Sequence, residues 1–475
     1  MSICVDVIAS VLRENRYVQT FAVDVAPGGG HVSIKATFDP RKMRIEHPAY
    51  PALKARRLQR WARVFDAFGQ NEVQNEESPF ASWNSSYTGR PLPAEEMQVW
   101  LNSTISRIAA LNAKSVLEIG CGSGLLLERL APTCREYVGI DSSPLSIKSA
   151  ESRLRTFLQE NSHVHLHACA AEELPRLGLG TFDLIVLNSV VQYFPDADYL
   201  RSLLAALRTM LNERGSIFLG DVRHLGLLRA FRAGIAKANG PGEITVGEFR
   251  RKLDRSVEEE RELLLDPRFF HTLSGQHGQF SRVMVSLKRG LCDNELTKYR
   301  YDVVLCTDEH PIRDRIVDEI HRGFDRDAIA ASLKCAEPHA VAVRDIGNAR
   351  VALEVSELAR IASSEAKDIC NQVIGSTQVP VAQHPEALHQ LGASFGYDVR
   401  IDWSTCNRVD RMDAIFSNAG PAYATVQHIE PPTSAITENE PLAADMRVQL
   451  EKELRLAIEP TDFRLEFELR PCGTA

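Results

Sequence analysis

A short apolar run that ends in three glycines, followed one strand later by an acidic residue, constrains this chain more than any other feature. The run is Val116-Leu117-Glu118-Ile119-Gly120-Cys121-Gly122-Ser123-Gly124, and the acidic residue is Asp141. A strand that enters Gly-x-Gly-x-Gly turns tightly and lets a ligand approach the backbone with no Cβ in the way. An acidic residue about twenty positions further on, at the end of the second strand, accepts hydrogen bonds from both hydroxyls of a ribose. Strands and helices alternate around the motif. Strands are expected at 115–119, 136–140, 164–168, 183–187 and 216–220, with helices at 125–130, 144–158 and 200–211. Such alternation requires right-handed crossovers and a mostly parallel sheet covered on both faces. The fold class is α/β and doubly wound.

Two ligand classes suit a strand–glycine turn–helix, and two details separate them. Glu118 sits inside the turn, where a diphosphate is repelled and an ammonium group is attracted. The third glycine follows the second by two residues, not by the three of the dinucleotide fingerprint. A ligand with a ribose and an α-ammonium but no phosphate is S-adenosyl-L-methionine. On these residues the sequence resembles the Rossmann-like S-adenosylmethionine-dependent methyltransferases. The resemblance implies cofactor contacts from Glu118, Gly120, Gly122, Gly124, Asp141 and Ser142. It further implies contacts near the adenine from Ala170-Ala171-Glu172, represented by Ala171 and Glu172. The run Asn188-Ser189-Val190-Val191-Gln192-Tyr193-Phe194 is similar to the family's fourth motif, which places Asn188 and Ser189 near the methionine moiety. Asn188 and Gln192 either bond cofactor or substrate or cap the helix that begins near Pro195.

A narrower resemblance covers roughly residues 60–420. Trp83-Asn84-Ser85-Ser86-Tyr87-Thr88-Gly89, Asp221-Val222-Arg223, Leu287-Lys288-Arg289-Gly290 and Asn294-Glu295-Leu296-Thr297-Lys298-Tyr299 look like the methyltransferase domain embedded in nonribosomal peptide synthetases. So do residues 259–270, His384-Pro385-Glu386-Ala387-Leu388 and Asp413-Ala414-Ile415-Phe416. In those synthetases the methyltransferase interrupts the small subdomain of an adenylation domain. Residues 1–45 and 440–475 look like the two halves of that subdomain and are expected to pack together as a small α+β unit. Between them are expected a helical cofactor-covering segment (53–111), a methyltransferase core (112–309) with a lid at about 224–265, and an accessory subdomain (310–420) read as helical over 310–375. The sequence carries no counterpart of the AMP-binding core, which implies a free-standing descendant or an excised piece that activates no amino acid.

Composition excludes several classes. Of 475 residues, 44% are hydrophobic and 25% charged, which rules out a disordered or collagen-like chain. A net charge of −8, from 55 basic against 63 acidic residues, argues against nucleic acid as a partner. No apolar run approaches the roughly 18–20 residues that span a bilayer, and the N-terminus lacks a basic leader region. The ten cysteines include no Cys-x-x-Cys pair, so reduced thiols and a cytoplasmic location are expected. His163, His165 and His167 share one strand face but lack a fourth ligand, so no metal is expected. Cys121 reads as a small packing residue, and 258–262 as a solvated helix face.

The expected activity is methyl transfer to an amine of an amino acid or aminoacyl group, free or held on a carrier protein in trans. The residues assigned to the transfer are Tyr87, Asn188, Gln192, Asp221 and His224. Tyr87, with Trp83, offers an aromatic face to a sulfonium and is expected to touch cofactor or acceptor. The alternative is O-methylation of a hydroxyl or enol, which needs a stronger base such as His224 or His271 with Asp221 or Glu295. A third reading, a catalytically silent docking module, conflicts with the intact Glu118, glycines and Asp141.

Overall fold

Apolar runs bounded by turn residues form the strands of a sheet covered on both faces, and β3 below is buried at every position. The computed structural model describes residues 2–25, 31–74, 80, 83–240, 243–274, 279–307, 319–335, 340–378, 380–404, 408–418, 439–458 and 464–471. In chain order the first strands are β1 (Val18–Val25), β2 (His31–Phe38), β3 (Ser115–Ile119), β4 (Glu136–Asp141), β5 (Val164–Ala168), β6 (Phe182–Asn188) and β7 (Leu211–Arg223). They are followed by β8 (Arg282–Leu287), β9 (Arg300–Cys306), β10 (Glu319–Arg322), β11 (Ala340–Gly347), β12 (Asp398–Trp403), β13 (Arg411–Ser417) and β14 (Arg464–Pro471).

The central sheet has seven strands in the order β5-β4-β3-β6-β7-β9-β8. Strands β3 to β7 are parallel, and β9 runs antiparallel to both β7 and β8. One face buries Ile119, Leu187 and Leu219 against Leu200, Leu204 and Leu207 of the Ala197–Arg208 helix. That helix shows its apolar residues at three- and four-residue spacing and is capped by Asp196, which accepts from the Tyr199 N–H at 2.6 Å. The other face buries Val116, Leu184 and Phe218 under Met97, Trp100 and Leu101 of the Ala94–Ala109 helix. Strand order reverses between β3 and β6. Open α/β sheets bind ligands outside the carboxyl ends of the strands at such a point.

A second sheet, in the order β10-β11-β13-β12, shares its core with the first through Val341, Val343, Met412 and Phe416. Strands β10 and β11 correct the reading of 310–375 as helical. β10 is only four residues long and β11 begins with two alanines in alternation, so neither carries a clear strand signature. The segment 224–265, expected as a lid, is mostly helical. Its helices, Leu228–Ala238 and Val246–Glu258, pack beside Ala352–Ser363, with Phe249 and Leu253 buried against Ile361 and Cys370.

The third sheet, β1-β2-β14, joins the two ends of the chain. Ile8 and Leu12 of the Ser2–Glu14 helix and Met446, Leu450 and Leu454 of the Ala443–Ile458 helix share a core with Val32, Ile34 and Phe38. The Tyr50–Gln74 helix starts in this core with Tyr50 and Leu53 and then runs onto the central unit. The Tyr50 hydroxyl donates to Asp196 Oδ2 at 2.5 Å where the two units meet. Pro27-Gly28-Gly29-Gly30, whose composition predicts a turn, and most of 420–441, whose Pro, Thr and Glu content predicts a linker, lie outside the described residues. Among the described residues no helix is long and apolar enough to cross a membrane.

Candidate active site

The glycine loop after β3 is held by its neighbour strand, since the N–H groups of Gly120 and Cys121 both donate to the Ile140 carbonyl. Gly120 has φ +75°, and a Cβ there would stand 2.5 Å from Val190 Cγ2. Gly122 has φ +53°, and a Cβ there would meet no protein atom within 4 Å. Its missing side chain leaves open space on the cavity side.

Two buried carboxylates flank the loop. Asp141 accepts from the Gly122 N–H at 3.0 Å and from the Ser143 N–H at 2.8 Å. Burial raises its pKa, and those two backbone bonds oppose the rise. Glu118 is 3% exposed and accepts from the Tyr137 hydroxyl at 2.7 Å. Burial pushes its carboxyl up to about 8, with Tyr137 lowering and Asp141 raising it. A cation seated beside it favours the carboxylate and opposes that shift.

A cavity of about 600 Å³ opens at these strand ends. Glu118, Gly120, Gly122, Asp141, Ser142, Ala171, Glu172, Asn188 and Ser189 line it together. Over them lie Leu58, Trp61, Ala62 and Phe65 of the Tyr50–Gln74 helix. Trp61 and Phe65 both pack on Tyr193, with ring centroids 4.6 and 4.8 Å apart. The residue after Phe65, Asp66, accepts from Ser143 Oγ at 2.6 Å, which ties this helix to the residue that also bonds Asp141. Another wall is made of Trp83, Asn84, Ser86, Glu295 and Arg300.

Five of the residues assigned from sequence do not line the cavity. Gly124, at φ +82°, packs toward Leu154 and serves the turn itself. Gln192 is buried, and its side-chain amide donates to the Ser189 carbonyl at 2.9 Å. Tyr87 points the other way: its hydroxyl donates to the Tyr299 hydroxyl at 3.0 Å and its ring meets Phe231 edge-on. Asp221 is fully buried and its carboxylate is taken up by the Trp100 indole N–H, Ser189 Oγ and the Lys288 ammonium, the last at 2.7 Å. Burial raises its pKa, but Lys288 and Arg300 outweigh that and hold it low. His224 is 3% exposed between Trp403 and Tyr301, and burial drops its imidazole to about 4. A neutral ring so placed is a packing residue, and a carboxylate so saturated is a structural one.

The sequence reading missed Trp61, Phe65 and Arg300 as cavity residues. The first two were visible as an amphipathic stripe, whereas nothing local marks Arg300. The residues present suit S-adenosylmethionine on three structural grounds. The Gly122 position is open, the Asn188 Oδ1 is buried without a partner, and Glu118 is a buried carboxylate lacking a cation.

Comparison with known proteins agrees with the geometry. Residues 117–217 match the family model described as a methyltransferase domain. Chondramide synthase cmdD from Chondromyces crocatus is 38% identical over 329 residues, which is 68% of this chain and 8% of that protein. The nonribosomal peptide synthetase asqK from Emericella nidulans is 31% identical over 407 residues, 82% of this chain and 16% of that one. The chain therefore spans under a fifth of the length of either relative. Among solved structures, magnesium protoporphyrin IX methyltransferase ChlM from Synechocystis PCC 6803 with bound SAH aligns with 53% of this chain and all of its own, at 13% identity and a TM-score of 0.35. Fold and family model agree on a methyltransferase domain with a Rossmann-like α/β core in this chain. More narrowly, it is related to the methyltransferase-containing nonribosomal peptide synthetases of secondary metabolism.

Proposed function

We propose that the chain methylates the amine nitrogen of an amino acid or aminoacyl group. One observation carries the choice of nitrogen over oxygen. An alcohol needs a strong base to raise its nucleophilicity, yet among the described residues no histidine lines the cavity to pair with Glu295, and Asp221 is locked to Lys288. An amine needs only a free lone pair, so water or a wall carboxylate suffices to take its proton. In this reading Asp141 holds the ribose hydroxyls, Glu118 the α-ammonium, and Gly120 and Gly122 admit the ligand to the backbone. Ala171 and Glu172 face the adenine, while Ser142, Asn188 and Ser189 complete the cradle.

When bound, S-adenosylmethionine supplies a methyl group on a sulfonium that departs without acid catalysis. Glu118, Asp141 and the glycine loop would hold that group at the strand ends, and the proton released by the acceptor nitrogen would pass to water in the cavity. The protein's part is proximity and orientation in a site roofed by Trp61 and Phe65. The names of the relatives support an acceptor of the nonribosomal peptide type; a carrier protein in trans and an adenylation-subdomain origin of the β1-β2-β14 unit are further parts of the proposal. The test is mass spectrometry of products after offering amines and the matching alcohols, each free and carrier-bound, beside calorimetry of cofactor binding. Methylated amine is expected. Methylated alcohol alone would transfer the reading to O-methylation, and no cofactor binding would leave a docking role.

A further inference from the structure

Once the residues proposed for the cofactor are set aside, the cavity retains one wall with two opposite charges, Glu295 and Arg300. They are built close together in the chain, Glu295 opening the Glu295–Lys298 helix and Arg300 opening β9. Glu295 is 8% exposed and rigidly mounted. Its carboxylate accepts from the Ser86 N–H at 2.9 Å and from Ser86 Oγ at 2.9 Å, so the loop that carries Trp83 and Asn84 is anchored on it. Arg300 presents a guanidinium whose Nη1 is buried and has no hydrogen-bond partner. An arginine N–H left dry beside a cavity costs free energy that an arriving acceptor oxygen recovers. The remaining ionic group of this region, Glu262, is already paired with Arg223 at 2.7 Å. A cation with an unspent N–H and a mounted anion thus line the same cavity.

We infer that Glu295 and Arg300 form the acceptor subsite, Glu295 receiving the α-amine and Arg300 the carbonyl or carboxylate oxygen of an α-amino acid or its thioester. The inference rests on the amine reading above and narrows it: an amine without a neighbouring carbonyl engages only half of the pair. The carboxylate attracts the acceptor in its ammonium form and stays within reach of the nitrogen as that proton leaves. The guanidinium fixes the other end of a two-carbon unit, so the side chain of the acceptor points away from both.

The test uses the full chain and a panel of the common amino acids, offered as free acids, amides and N-acetylcysteamine thioesters, beside simple primary amines of the same size. Cofactor affinity by calorimetry reports whether each variant keeps its fold. Loss of one charged hydrogen bond is expected to lower kcat/KM for the best α-amino acceptor by about ten- to hundredfold in Arg300→Gln and in Glu295→Gln, carried mainly by KM. Cofactor affinity should stay within about twofold, in keeping with loss of the acceptor bond alone. Arg300→Lys keeps the charge that faces Asp221 and should restore part of the loss, and simple amines should be nearly blind to Arg300→Gln. An unchanged KM in both glutamine variants, with α-amino acceptors still methylated, overturns the subsite and leaves the amine reading standing. A wild-type chain that binds cofactor yet methylates no α-amino compound overturns both.

Discussion

Asp141 and Asp221 stand in matching places, each at the carboxyl end of a parallel strand beside the switch point, and each nearly or wholly buried. Their surroundings are opposite. Asp141 is steadied by two backbone N–H groups and lines the cavity. Asp221 lies in a closed network in which Lys288 bridges it to Asp302 at 2.9 Å, Asp302 pairs with Arg107, and the Asp221 N–H itself donates to Asp302. A carboxylate is available for a ligand only if the fold leaves its lone pairs unspent, and the partner that decides this for Asp221 lies 67 residues away in the chain.

The sharpest way to break this comparison is to remove each carboxylate in turn. Asp221→Ala leaves the buried Lys288 ammonium with Asp302 alone and the Trp100 N–H without its acceptor, and should lower stability by about 3–5 kcal/mol in denaturant unfolding. A loss of turnover with stability intact would return Asp221 to the reaction. Asp141→Asn should do the reverse. It is expected to weaken cofactor binding by about ten- to hundredfold in calorimetry, through the loss of a charge-assisted bond, with unfolding nearly unchanged.

Glu118 sharpens the contrast through pH. In the ligand-free protein its carboxyl is pushed up to about 8 by burial. Seating an ammonium favours the carboxylate, so binding below that pH releases a proton. Cofactor affinity should therefore climb by up to about tenfold per pH unit toward pH 8 and then level off. Titrations in buffers of different ionisation enthalpy count the proton directly. For folding the sign is opposite. The Glu118 contribution is full below its ordinary value of 4.5 and is lost as pH rises through about 8. The smallest effect is expected at Tyr87, where Tyr87→Phe removes one hydroxyl pair with Tyr299. It should cost about 0.5–1.5 kcal/mol of stability and leave kcat/KM in place.

What the sequence made legible follows the same division. The β3 glycine loop, Asp141, Ala171, Glu172, Asn188 and Ser189 are read correctly as neighbours because each sits at the end of its own parallel strand. In such a sheet every strand end reaches the same edge. Tyr87, Asp221 and His224 were misread because their fates depend on Tyr299, Lys288 and Trp403, partners that only the antiparallel insertion of β9 and the second sheet bring near. Arg300 was invisible for the same reason. Trp61 and Phe65 were legible as one face of a helix, but helical periodicity names no partner for that face.

The Tyr50–Gln74 helix touches the core of the β1-β2-β14 unit through Tyr50 and Leu53, Asp196 through the Tyr50 hydroxyl, the cavity through Trp61 and Phe65, and the Asp141 loop through Asp66 and Ser143. Binding thermodynamics is reciprocal. Whatever free energy a bound cofactor contributes to seating this helix is returned, in the same amount, as added cohesion where the first and last strands of the chain meet. A change at that meeting that moves this helix is expected to change cofactor affinity with it.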